Sequence, residues 1–211
     1  WFGSSTIRIS RTAPTRASIN SMSRLATSSR SHLVVAVAAF ALFASIGGRA
    51  EAKVFLSTEE ALRLAFPNAT VERKTAFLTP EEVQRARAEA AVDVRSAVVV
   101  QYLAKRDGRL IGTAYFDTHR VRTLEETVLV VVDLAGKVAR IETLSFREPT
   151  DYLPRASWYA QFIGRGLDSE LKLDRGIRPV TGATLTATAA VAAVRRTLAI
   201  HHVLSSREKK P

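Results

Sequence analysis

The chain contains no cysteine. That absence excludes disulfides, thiolate zinc sites, iron–sulfur clusters and haem attached through C-x-x-C-H. Any redox chemistry must then be carried by an organic cofactor. Methionine is nearly absent too: Met22 is the only one in 211 residues, and residues 1–21 before it read as an upstream translation artefact outside the fold. The apolar run LVVAVAAFALFASI, Leu33 to Ile46, falls short of the roughly 20 residues that cross a bilayer. Acids are the scarcer charge, 20 against 31 Lys and Arg, for a net +11. Six of those basic residues and one acid precede Lys53, leaving 25 against 19, or +6, beyond it. The remaining positives are scattered, with no basic stripe interleaved with aromatics, which argues against nucleic acid as a partner.

What is present is ordered from the amino terminus. Arg24 and Arg30 precede the apolar run, Gly47 and Gly48 break it, and Ala50-Glu51-Ala52 supplies an A-x-A site. Residues 22–52 therefore read as a secretory signal cleaved before Lys53, with an exported, periplasmic product. Retention of the signal would leave the protein membrane-anchored. The overall content of 46% hydrophobic and 24% charged residues suits one globular domain with a real core.

Residues 53–95 read as an N-terminal helical and strand segment. Ser57-Thr58-Glu59-Glu60 fits a capping box before a short helix ending at Pro67, and Thr79-Pro80-Glu81-Glu82 a second one, opening a helix through about Ala91. Between them TVERKTAFL is compatible with a strand, although it alternates poorly. From Ser96 the period changes to two. SAVVVQYLAKRDGRLIGTAYFDT folds back at Asp107-Gly108, and ETVLVVVDLAGKVARIETLSF turns at Leu134 to Lys137, so four strands form an antiparallel meander. An Ala/Val-rich helix to about Val203 closes the domain, residues 96–204, and residues 205–211 form a basic, solvated tail. The expected fold class is α+β: one domain, an antiparallel meander packed by helices.

Two segments carry the chemistry. The connection from Phe146 to Leu171 concentrates Tyr152, Trp158, Tyr159 and Phe162 with Glu148, Pro149 and Pro154; so many aromatics in a loop imply either a binding surface or a core patch. Glu148 is suited to bonding a ligand or capping a helix. The second segment, Arg178-Pro179-Val180-Thr181-Gly182-Ala183-Thr184-Leu185-Thr186, crowds hydroxyls before the last helix. Small residues at 182 and 183 admit close approach to the backbone, and a helix start with unpaired N–H groups favours a phosphate. The plainer reading is a threonine-rich cap on a packing helix. Neither a P-loop nor a dinucleotide fingerprint matches. His201 and His202 suit a helix end, His119 joins no zinc or haem pattern, and Ser157 and Thr186 have no triad partners in motif context.

Thr181-Gly182-Ala183-Thr184-Leu185-Thr186 resembles the S/T-G-A-T-x-T/S flavinylation motif of the FMN-binding domain family, which includes the FMN-carrying subunits of the Rnf complex and of the sodium-pumping NADH:quinone reductase. Glu148-Pro149 with Tyr152, then Trp158, Phe162 and Gly164, look like that family's aromatic region near the isoalloxazine ring. The resemblance spans about Ala97 to Leu204. It implies FMN held covalently by a phosphoester on Thr184, attached by an ApbE-type FMN transferase that uses FAD. It also implies transfer of electrons between redox partner proteins or within a membrane complex. One stretch departs from the family: Arg178-Pro179-Val180 stands where an aspartate is usual, and Arg178 is then expected to pair with the phosphate. Two other readings are a reversible FMN-binding or cofactor-free docking module, and a reductase using Tyr152, Arg155 or Arg165 as its acid.

Overall fold

In the computed structural model, residues 53–208 are described. The artefact and signal assignments, on residues 1–52, lie outside the described residues, as does the end of the tail, 209–211. Both capping boxes form. Ser57 and Thr79 each accept from the N–H three residues on, while Glu60 and Glu82 reach back to the cap N–H groups, starting helices α1 (Thr58–Ala65) and α2 (Pro80–Ala90). The poorly alternating stretch is a strand after all. Strand β1 is Lys53–Val54, and β2 (Thr70–Phe77) is followed by β3 (Val98–Arg106), β4 (Arg109–Arg120), β5 (Glu125–Val132) and β6 (Val138–Phe146).

The four expected strands are thus the middle of a six-stranded antiparallel sheet in the order β1-β6-β5-β4-β3-β2. β2 joins as an edge strand, which accounts for its weak pattern: only Ala76 of its eight residues is fully buried. Asp107 and Gly108 both have positive φ, 51° and 73°, as the tight turn between β3 and β4 requires. Pairing is uneven. β3 and β4 separate beyond Tyr102↔Ala114, although β4 stays paired with β5 as far as Arg120↔Glu125 and β3 with β2 as far as Val98↔Phe77.

The sheet buries both faces. On one, α1 covers Ala114, Leu129, Val131 and Leu144 with Leu62 and Phe66. On the other, Val128, Val130 and Val132 pack against α2, the short helix α3 (Ala156–Tyr159) and the long helix α4 (Thr184–Glu208). Each such valine contributes about 1.5–3 kcal/mol by burial. Ala187, Ala190, Val194 and Leu198 follow helical spacing along α4 and are buried, their small side chains letting the helix lie close to the sheet. The helix runs past the expected end at Val203, because Arg207 pairs with Glu82 at the start of α2 and donates to the Phe77 carbonyl. Residues 205–208 of the expected tail are therefore helical. Among the described residues no helix is long and apolar enough to cross a membrane.

Candidate functional site

The hexapeptide sits at the head of α4. Gly182 has φ +82° with open space where a Cβ would project, so glycine is required there by backbone conformation and not by crowding. Ala183 follows, buried, and then Thr184 begins the helix. The position before the helix is thus alanine, without the hydroxyl that an N-terminal cap uses. The first helical backbone bond is Ala187 N–H to the Ala183 carbonyl. Among the described residues, the N–H groups of Thr184, Leu185 and Thr186 are left without acceptors at the positive end of a 25-residue helix.

The hydroxyls divide the work. Thr181 and Thr184 are exposed, as is Leu185, whereas Thr186 is buried and donates to the Tyr152 carbonyl at 2.6 Å. Thr188 turns back to the Thr184 carbonyl at 2.9 Å. Residues 182–186 line a cavity of about 200 Å³ with Tyr152 and Arg122. The Arg122 guanidinium lies over the Tyr152 ring, 5.0 Å from its centre, so a cation stands beside the uncapped helix start.

Arg122 escapes sequence reasoning, because nothing local couples a turn between β4 and β5 to a helix so much later in the chain. The structure supplies the link through Glu148. That carboxylate accepts from the Leu124 N–H at 2.8 Å and from the Thr123 N–H and hydroxyl at 2.7 and 3.2 Å. These bonds, that from Leu124 foremost, lower its pKa from the ordinary glutamate value. Glu148 therefore fastens the turn that carries Arg122, and it caps that turn, not a helix.

The remaining expected residues lie elsewhere. Trp158 and Phe162 belong to the core, the latter fully buried, with ring centres 5.4 Å apart in edge-to-face contact. The Trp158 indole donates to the Arg178 carbonyl at 2.7 Å, and the Arg178 N–H donates to Gln161 at 2.9 Å. Trp158 thus anchors the backbone leading into the hexapeptide without lining the cavity, because its ring is consumed by packing. The Arg178 side chain is exposed and does not line the cavity either. Arg122 is the arginine that lines it. Arg165 donates to the Gly176 carbonyl at 2.8 Å and is structural in that contact.

A second polar cluster was not anticipated. Arg196 on α4 forks onto Asp117, both bonds 2.7 Å. His119 bonds Asp117 at 2.9 Å through Nδ1 and Glu126 at 3.3 Å through Nε2, and the Tyr159 hydroxyl donates to Glu126 at 3.2 Å. Burial opposes the His119 charge, but its two carboxylate partners outweigh burial and raise its pKa to about 9. Burial likewise opposes charge on Asp117, and its bonds to His119 and Arg196 still bring its pKa below the usual value. The Tyr159 phenol is pushed up, first by burial and then by the Glu126 charge. With an imidazolium at its centre, the cluster ties α4, β4, β5 and α3 together. No protein-family model and no curated protein matches this chain.

Proposed function

We propose that the protein is an exported flavoprotein that carries FMN on Thr184 through a phosphoester and passes electrons between redox partners. The observation that carries this reading is the exposed Thr184 hydroxyl on the first residue of a helix whose opening N–H groups have no side-chain cap, with Arg122 beside it. The donor set suits a phosphate: backbone N–H groups, a helix dipole and one guanidinium. The motif resemblance supplies the identity of the group. FMN, when bound, accepts one or two electrons, so such a module links two-electron donors to one-electron carriers.

Attachment follows from the chemistry of the acceptor. In the active site of an ApbE-type transferase, the Thr184 hydroxyl oxygen attacks the FMN-side phosphorus of FAD. The pyrophosphate P–O bond breaks, AMP leaves with the bridging oxygen, and the hydroxyl proton is released. In this chain Arg122 and the N–H groups of residues 184–186 would hold the resulting phosphodiester, and Gly182 shapes the backbone that would present it. Export removes the protein from the cellular FMN pool, where a tether prevents loss.

Coexpression with an ApbE-type transferase, followed by intact-mass measurement, tests the proposal. The expected product gains one FMN unit, stays yellow after denaturation, and loses both properties in Thr184→Ala. A colourless product of unmodified mass, or colour released on denaturation, overturns covalent attachment; release favours the reversible module.

A further inference from the structure

Where β3 and β4 part, the sheet is open. Beyond Tyr102↔Ala114 the edge of β4 from Phe116 to Arg120 that faces away from β5 is paired to no strand among the described residues. A cleft of about 630 Å³ lies there, with Val99, Tyr115 and Phe116 among its walls, Ala189 and Ala192 of α4 along one side, and Arg95 and Arg120 at its rim. Such a gap between two strands of one sheet forgoes ladder bonds and apolar contacts that closure would supply.

The cleft and the Thr184 cavity share one strand and one helix. α4 runs antiparallel to β4: His201 meets Tyr115 at 2.9 Å, Arg196 meets Asp117 at 2.7 Å, and residues 184–186 share a cavity with Arg122 just beyond the end of β4. Ala189 and Ala192 are five and eight residues beyond Thr184, hence about 7.5 and 12 Å along the helix axis. A group tethered at Thr184 and directed along α4 reaches the cleft at its small-residue wall.

We infer that the cleft between β3 and β4 seats the isoalloxazine ring of the Thr184-linked flavin. This inference rests on the attachment proposed above and goes beyond it, since it moves the ring away from Trp158 and Phe162. The chemistry is complementary. The pyrimidine edge of a flavin presents an N–H between two carbonyls, and an unpaired strand edge offers N–H and C=O groups in the same plane. The benzenoid end is apolar, as are Val99, Phe116 and the ring of Tyr115, whose hydroxyl is engaged by Gln101 and His201. Arg95 is ion-paired with Asp93 at 3.3 Å and the Asp117 carboxylate in the lining is paired with Arg196 and His119, so Arg120 is the rim charge that favours added electrons on the ring and raises its potential.

The test uses full-length protein loaded by coexpression, with FMN mass confirmed for every variant. Ala192→Trp fills the cleft; Arg120→Gln removes a rim charge from an exposed position. Ring seating predicts that loaded Ala192→Trp loses the visible-band circular dichroism of the flavin and becomes several-fold more sensitive to iodide quenching. It also predicts a lowered midpoint potential in Arg120→Gln. In addition, amides 116–120 exchange more slowly in loaded wild type than in Thr184→Ala, a measurement that needs no cleft variant to fold. Unchanged dichroism, quenching, potential and exchange in protein of confirmed FMN mass overturn the seating alone. Absence of the FMN mass from wild type overturns the attachment and the seating together.

Discussion

The Thr186 hydroxyl donates to the Tyr152 carbonyl at 2.6 Å, joining the head of α4 to the aromatic connection across 34 residues of chain. Both groups flank the cavity at Thr184, so this bond sets the spacing between Thr184 and the Arg122–Tyr152 pair. Thr186→Val keeps the shape and removes the donor. Unfolding by urea is expected to show a loss of about 1 kcal/mol, and the flavinylation rate measured by mass is expected to fall. Wild-type stability and rate together contradict the assigned role.

Arg122 is exposed and contacts the site through its charge and the Tyr152 ring. Arg122→Gln is therefore expected to leave stability within about 0.5 kcal/mol of wild type. It should slow modification by the transferase, and the slowing should shrink as salt screens the wild-type charge. A time course of FMN incorporation at low and high ionic strength distinguishes this from a packing role, which salt does not move.

The charge on His119 makes stability depend on pH. Its pKa rises from 6.5 to about 9 on folding, so its contribution is complete below 6.5 and is lost as pH climbs through 9. The full change is on the order of 3 kcal/mol. Denaturation midpoints collected from pH 6 upward are expected to decline through this window, and His119→Gln should flatten the decline. A wild-type profile level between these limits contradicts the imidazolium.

Gly182→Ala introduces a methyl into open space at φ +82°. Its cost is therefore conformational, about 1–2 kcal/mol, with no clash to relieve. Since the strain falls two residues before Thr184, modification is expected to suffer more than the melting temperature. Calorimetry and mass spectrometry on the same sample check this ordering.

Much of the fold was legible. Ser57 with Glu60, and Thr79 with Glu82, announced two helix starts because capping is local chemistry, and the Asp107-Gly108 turn announced its hairpin for the same reason. β2 was ambiguous because an edge strand exposed along most of its length needs no strict alternation. Long-range polar partners were invisible. Arg195 on α4 lies buried and donates to the carbonyls of Ala90, Asp168 and Leu171 at 2.6, 2.8 and 3.2 Å, satisfying the end of α2 and the connection that precedes α4 at once. Nothing near Arg195 in sequence signals that it, or Arg196, points inward. The aromatic connection was readable only as a pair of alternatives, a binding surface or a core patch, and it takes the sheet beneath Trp158 and Phe162 to show that they pack in the core. At the site, the hexapeptide was readable and Arg122 was not.

Ala183 stands where α1 and α2 each have a hydroxyl, so the opening turn of α4 lacks the side-chain bond that fixes theirs. Under the attachment proposed above, a phosphoryl oxygen on Thr184 would stand in for that missing cap. Loaded protein would then resist proteolysis at this turn better than unloaded protein, a difference that limited digestion of the two forms reads directly.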